Sequence, residues 1–136
     1  MRDFRNILYA IDLDAERFSS LMRALEFARL LGSRMHILYV NDPQAGYRHP
    51  TDYEDAVALK VKKAAPESLL EGLKIIYAVS KGNPVQEVVQ YARDHRIDLI
   101  VVGHEPRGKL YAAMFDSTDV RIIDEAILPV LVFPEI

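Results

Sequence analysis

The residues most able to bind an anion lie between Asp98 and Leu110, DLIVVGHEPRGKL, where an apolar strand pattern runs into a glycine-bearing loop. Backbone N–H groups of such a loop can face an anion, and the N-terminus of a following helix adds favourable dipole charge. The structural alternative is that Gly103 and Gly108 simply let the chain turn off a sheet. Gly103, Gly108 and Lys109 also match the G-x-x-x-x-G-K part of a phosphate-binding P-loop. Leu110 stands where that motif needs a Ser or Thr to hold magnesium, so a phosphotransferase is disfavoured. Arg107 and Lys109 could attract an anion, or serve as solvated loop charges. Asp116, Ser117 and Thr118 have the composition of an N-cap for a helix bearing Val120, Ile123 and Ile127, with Asp119 favouring its dipole.

Other chemistry has little support. His36, His49, His95 and His104 lack metal-ligand spacing, and neither G-x-S-x-G nor H-E-x-x-H occurs. His36 falls inside a strand pattern and reads as structural; His104 adjoins the loop. The pairs Asp12/Asp14 and Asp116/Asp119 could hold a metal, but exposed or capping carboxylates are the commoner case, and no metal is expected.

Five apolar runs must position these residues: Phe4 to Ile11, Met35 to Val40, Leu73 to Val79, Ile97 to Val102 and Pro129 to Phe133. Several are continuous in Ile, Leu and Val, as in a parallel sheet covered on both faces. Between them, Phe18, Leu21, Met22, Leu25 and Ala28 mark one helix face, stopped by Gly32. Val57, Val61 and Ala64 mark a second helix, interrupted at Pro66, where a short turn restarts. Val85, Val88, Val89 and Ala92 mark a third, with Pro84 in its first turn. The alternation predicts an α/β fold: an open five-stranded parallel sheet with helices on both faces and a crevice at the strands' C-terminal ends. The segment from Asp42 to Tyr53 reads as a solvated connection or a lid.

The chain has 136 residues, half of them hydrophobic, which suits one domain with a substantial core. It has no cysteine, which excludes disulfides and thiolate sites and fits a reducing compartment, so a cytoplasmic location is expected. Asp12 and Asp14 break the first apolar stretch, leaving no signal peptide or membrane span to place there. A formal net charge of −3 gives no basic excess for nucleic acid.

Taken in order, these motifs resemble the universal stress protein family across essentially the full chain. The carrying features are the run from Ile7 to Asp12 before an amphipathic helix, Lys81 to Val85 before the third helix, and the closing LPVLVFP from Leu128 to Pro134. The family's G-x2-G-x9-G-[ST] nucleotide motif, counted from Gly103, falls on Pro106, Asp116 and Ser117. Its first and last positions are kept and both inner glycines are lost. The resemblance implies that Asp12, Val40, Gly103 and Ser117 would form the nucleotide site, with Arg107, Gly108, Lys109 and Thr118 beside it. Asp12 also suits a strand-end turn. Pro106 removes an N–H donor and fixes φ, and Asp116 brings a carboxylate toward a polyphosphate. The expectation is therefore a non-enzymatic, dimeric stress-response module that holds no ATP and acts through unnamed protein partners. The alternative is an ATP- or AMP-binding switch, using magnesium, with at most weak ATP hydrolysis. Val130, Leu131, Val132 and Phe133 would form the dimer interface, because an apolar strand at a sheet edge invites pairing.

Overall fold

The computed structural model describes residues 3–104 and 127–135. The elements run β1 (Asn6–Ala10), α1 (Ser19–Leu31), β2 (Arg34–Asn41), α2 (Glu54–Ala64), α3 (Glu67–Leu70), β3 (Ile75–Lys81), α4 (Pro84–Asp94), β4 (Leu99–His104) and β5 (Val130–Pro134). All strands pair in parallel, in the order β3-β2-β1-β4-β5. The order reverses between β1 and β4, the position where open α/β sheets form their ligand crevice.

Alternation along the strands divides the core. Ile7, Tyr9, Met35, Ile37, Tyr39, Leu99 and Val101 meet the apolar faces of α1 and α2. Leu8, Ala10, Leu38, Val40, Ile100 and Val102 meet Val85, Val88, Val89 and Ala92 of α4. The central strands are buried on both sides, which explains why their sequences are continuously apolar rather than alternating. Each fully buried Leu or Ile stabilises the fold by about 1.5–3 kcal/mol.

Local signals set the helix ends. Gly32 adopts φ 66° and bonds back to the last turn of α1, the left-handed stop that glycine adopts without a Cβ clash. Asn83 accepts the Gln86 N–H at 3.1 Å, and Pro84 opens α4 where a missing N–H costs nothing. Pro66 precedes the short α3, one position earlier than a first-turn proline.

Three expectations need correction. Gly103 and His104, expected to leave the sheet, still belong to β4 and pair with Phe133 and Pro134. Ile127, expected on the apolar face of the last helix, is not helical: it has φ 54° and is 85% exposed. Pro129 disfavours helix in the residue before it, and the chain must already be turning into β5. The third strand begins at Ile75 and extends to Lys81, because it follows β2 in register through Asn41↔Lys81. Strand pairing rather than hydrophobicity decides where it ends.

His36 is structural. It lies 3% exposed in β2, with Nδ1 2.7 Å from the Tyr91 hydroxyl and Nε2 3.1 Å from Asn6 Oδ1. Tyr91 in turn stacks on His95, with centroids 3.8 Å apart. Burial, with His95 and Arg34 adding positive charge nearby, lowers the His36 pKa to about 4, so the ring is neutral at neutral pH.

Candidate functional site

The C-terminal ends of β1, β2 and β4 bring Asp12, Val40 and Gly103 to one edge of the sheet, on adjacent strands. Val40 is 3% exposed and packs on the α4 side. Asp12 follows β1 and its Oδ1 accepts the Asp14 N–H at 2.9 Å, forming the turn that releases the chain from the sheet. Arg107, Gly108, Lys109, Ser117 and Thr118 lie outside the described residues, as do Pro106 and Asp116.

The segment between Asp42 and Tyr53 is tied to this edge. The Asp14 carboxylate accepts the Arg48 N–H at 2.8 Å and the His49 N–H at 3.3 Å, with the His49 ring 3.6 Å away. Asn41, closing β2, donates to Asp52 at 2.8 Å. Tyr47 lies over Tyr39, with ring centroids 5.6 Å apart. Burial pushes the Tyr47 hydroxyl up to about 12, helped by Asp12, Asp42 and Asp14. Burial likewise raises Tyr39, whose buried hydroxyl has no hydrogen-bond partner among the described residues. The segment is thus a fastened strap with carboxylates along its footing.

A second carboxylate site stands beside Gly103. Phe18 occupies the N-cap position of α1 and offers no side-chain acceptor to the helix. Glu135, immediately after β5, supplies one from 115 positions away. Its carboxylate accepts Ser19 Oγ at 2.8 Å, the Ser20 N–H at 3.3 Å to each oxygen, and Ser20 Oγ. Ser20 Oγ is also 2.7 Å from the buried Tyr9 hydroxyl. Glu135 is placed by its own N–H, which donates to the His104 carbonyl at 2.9 Å. A Cβ on Gly103 would stand 2.8 Å from Glu135 Oε1 and 3.0 Å from Ser20 Cβ, so glycine here allows a close approach.

Of the residues named from sequence, Asp12, Val40 and Gly103 meet at this edge; Ser19, Ser20, Tyr9 and Glu135 were not among those named. The serines carry a readable signal, since Ser is a preferred residue where a helix begins. Nothing local marks Glu135, because its partners are far away in the chain.

Of the expected interface residues, Leu131 and Phe133 are half-buried against the first core and Val130 against the second, while Val132 is 39% exposed. β5 forms one edge of the sheet among the described residues. No described helix is long and apolar enough to cross a membrane. Among the described residues, no group of three or more His, Asp or Glu side chains is placed to hold a metal ion.

An open parallel sheet whose strand order reverses between β1 and β4 defines a doubly wound α/β architecture. Residues 3–134 match the family model described as the universal stress protein family, and the chain belongs to that family. It is 27% identical over 135 residues to a universal stress protein of Thermus aquaticus, spanning 94% of this chain and 97% of that one. It is 38% identical over 73 residues to universal stress protein MJ0531 of Methanocaldococcus jannaschii, a match covering 54% of this chain and only 41% of the relative. Among solved structures, UspA from Lactobacillus plantarum matches with TM-score 0.66 and 22% identity, covering 98% of this chain and 99% of that one. A universal stress protein solved in complex with cAMP matches with TM-score 0.68 and 17% identity, covering 99% and 100%. One from Archaeoglobus fulgidus in complex with dAMP matches with TM-score 0.60 and 22% identity, covering 96% and 98%. These structural likenesses are likenesses of fold.

Proposed function

We propose that this universal stress protein is a non-enzymatic, dimeric stress-response module that does not hold ATP. The observation that carries the reading is the acidity of the described crevice edge. Asp12 and Asp14 follow β1, Asp42 and Asp52 flank the strap after β2, and Glu135 follows β5. The N–H of Ser20, in the first turn of α1, already faces the Glu135 carboxylate. A triphosphate approaching this edge meets like charge on several sides, and like charges in a partly desolvated site are costly. The sequence adds to this through Pro106 and Asp116, which replace glycines in the family's phosphate loop. Homodimerisation through β5 belongs to the same reading, because Val132 is exposed on an apolar edge strand. The module then acts through protein partners of that dimer.

The test is mass spectrometry of small molecules released from the denatured purified protein, paired with calorimetric titration by Mg-ATP. The expected result is no retained adenine nucleotide and no heat of binding. Stoichiometric nucleotide, or micromolar binding, overturns the reading.

A second reading is an ATP- or AMP-binding switch with at most weak hydrolysis. It is favoured by the convergence of Asp12, Val40 and Gly103 on one edge and by relatives of this fold solved with cAMP and dAMP. Under it, Arg107 and Lys109 offset Asp116. Charge reversal at both positions would then abolish nucleotide binding.

A further inference from the structure

The opposite edge of the sheet, at the N-terminal ends of the strands, holds an open groove of ≈ 1080 Å³. Its lining includes Arg34 at the start of β2, Arg5 just before β1, and Arg96 ahead of β4. β2, β1 and β4 are neighbours in the sheet, so the three arginines stand on segments that lead into adjacent strands. Asp3 and Asp98 are the acidic residues of the lining. Asp3 pairs with Arg5 at 3.7 Å, and Asp98 Oδ2 accepts the N–H groups of Arg5 and Asn6 at 2.9 and 3.0 Å. No carboxylate among the described residues forms an ion pair with Arg34 or Arg96. Arg34 and Arg96 thus line one groove with no ion-pair partner among the described residues.

Helix ends do not account for them. Arginines near a helix C-terminus commonly bond its last carbonyls. Here backbone N–H groups take that role: Gly32 bonds Arg29 and Ser33 bonds Ala28, while His95 bonds Tyr91, Arg96 bonds Arg93 and Ile97 bonds Ala92. The two helix exits also differ in a telling way. Both use a left-handed residue lining the groove, Gly32 with φ 66° and Arg96 with φ 53°. At the first the chain uses glycine; at the second it keeps a bulky arginine against the steric preference of that conformation. Strain retained at one of two similar turns is a reason to look for a role of the side chain.

We propose that this groove binds a small ligand bearing two anionic oxygen groups, phosphates or carboxylates, held by the forked donors of Arg34 and Arg96 with Arg5 between them. The site lies at the opposite edge from the crevice and is independent of whether nucleotide binds there.

Inorganic pyrophosphate and, separately, citrate would be titrated into the full chain while backbone amide resonances are recorded. Shifts confined to Arg5, Asn6, Gly32, Arg34 and Arg96, weakening as salt is raised, are expected. Pyrophosphate acting alone assigns a phosphate ligand, and citrate acting alone assigns a carboxylate one. Arg34→Ala and Arg96→Gly should each weaken binding by about tenfold or more. Arg96→Gly should at the same time raise the thermal midpoint, because glycine relieves the left-handed turn, so lost binding cannot be confused with lost folding. No shifts with either anion at millimolar concentration, shifts located elsewhere, or binding unchanged in Arg96→Gly overturns the proposal.

Discussion

Replacing Glu135 with alanine removes the acceptor that α1 draws from the far end of the sequence. The lost contacts are Ser19 Oγ at 2.8 Å, the Ser20 N–H at 3.3 Å and Ser20 Oγ. Losing an N-cap acceptor costs about 1 kcal/mol, and the lost carboxylate charge at the helix N-terminus about 0.5 kcal/mol. Ser20 Oγ keeps Tyr9 as a partner, but Ser19 loses a charge-assisted bond, bringing the total to about 2 kcal/mol. For 136 residues, unfolding entropy of about 2.1 cal/mol/K per residue converts this to a melting point roughly 7 °C lower. Glu135→Gln keeps an acceptor and loses the charge, so about half that loss is expected. Differential scanning calorimetry at fixed protein concentration measures both. A Glu135→Ala protein melting within about 1 °C of wild type would refute the long-range cap. So would a double-mutant cycle with Ser19→Ala showing no coupling.

Gly103→Ala should destabilise the fold by about 1–3 kcal/mol in urea unfolding, because the new Cβ meets Glu135 and Ser20. His36 has a folded pKa of about 4 against an ordinary 6.5, so the unfolded chain binds the extra proton first. Its contribution is complete above pH 6.5, declines as pH falls toward 4, and totals up to about 3 kcal/mol. His36→Gln should flatten that part of the stability–pH curve relative to wild type. Val132→Lys should convert a β5-mediated dimer to monomer in analytical ultracentrifugation. Val132 is the better probe than Leu131, which packs into the first core and would confound assembly with folding.

Much of the architecture was legible because it depends on local periodicity. Valines at 85, 88 and 89 can only form one helical stripe, and the run from Ile97 to Val102 is apolar on both faces as a central strand must be. Gly32 and Pro84 mark helix ends by backbone preferences that hold in any context. Sequence failed where partners are remote. The end of β3 is fixed by pairing with β2, and Ile127 leaves the helical pattern because the turn into β5 overrides its hydrophobic spacing. In the candidate site, Asp12 could be found from its place after an apolar strand. Its tie to a turn, the hold of Asp14 on Arg48 and His49, and the whole Glu135 contact emerge only once the strands are side by side.

The reach of Glu135 across 115 positions to Ser20 also bears on the order in which the chain matures. Ribosomal synthesis delivers the α1 sequence early, at a stage when its N-terminal turn has no side-chain acceptor of its own. A local cap would be present as soon as the helix sequence is made; a cap delivered with β5 makes that strand's arrival the event that completes the first turn of α1. Contacts of this separation slow folding, because a long loop must close before they contribute. Chains that lack β5 would therefore carry α1 without the Glu135 acceptor at its first turn, leaving Ser20 only its Tyr9 contact.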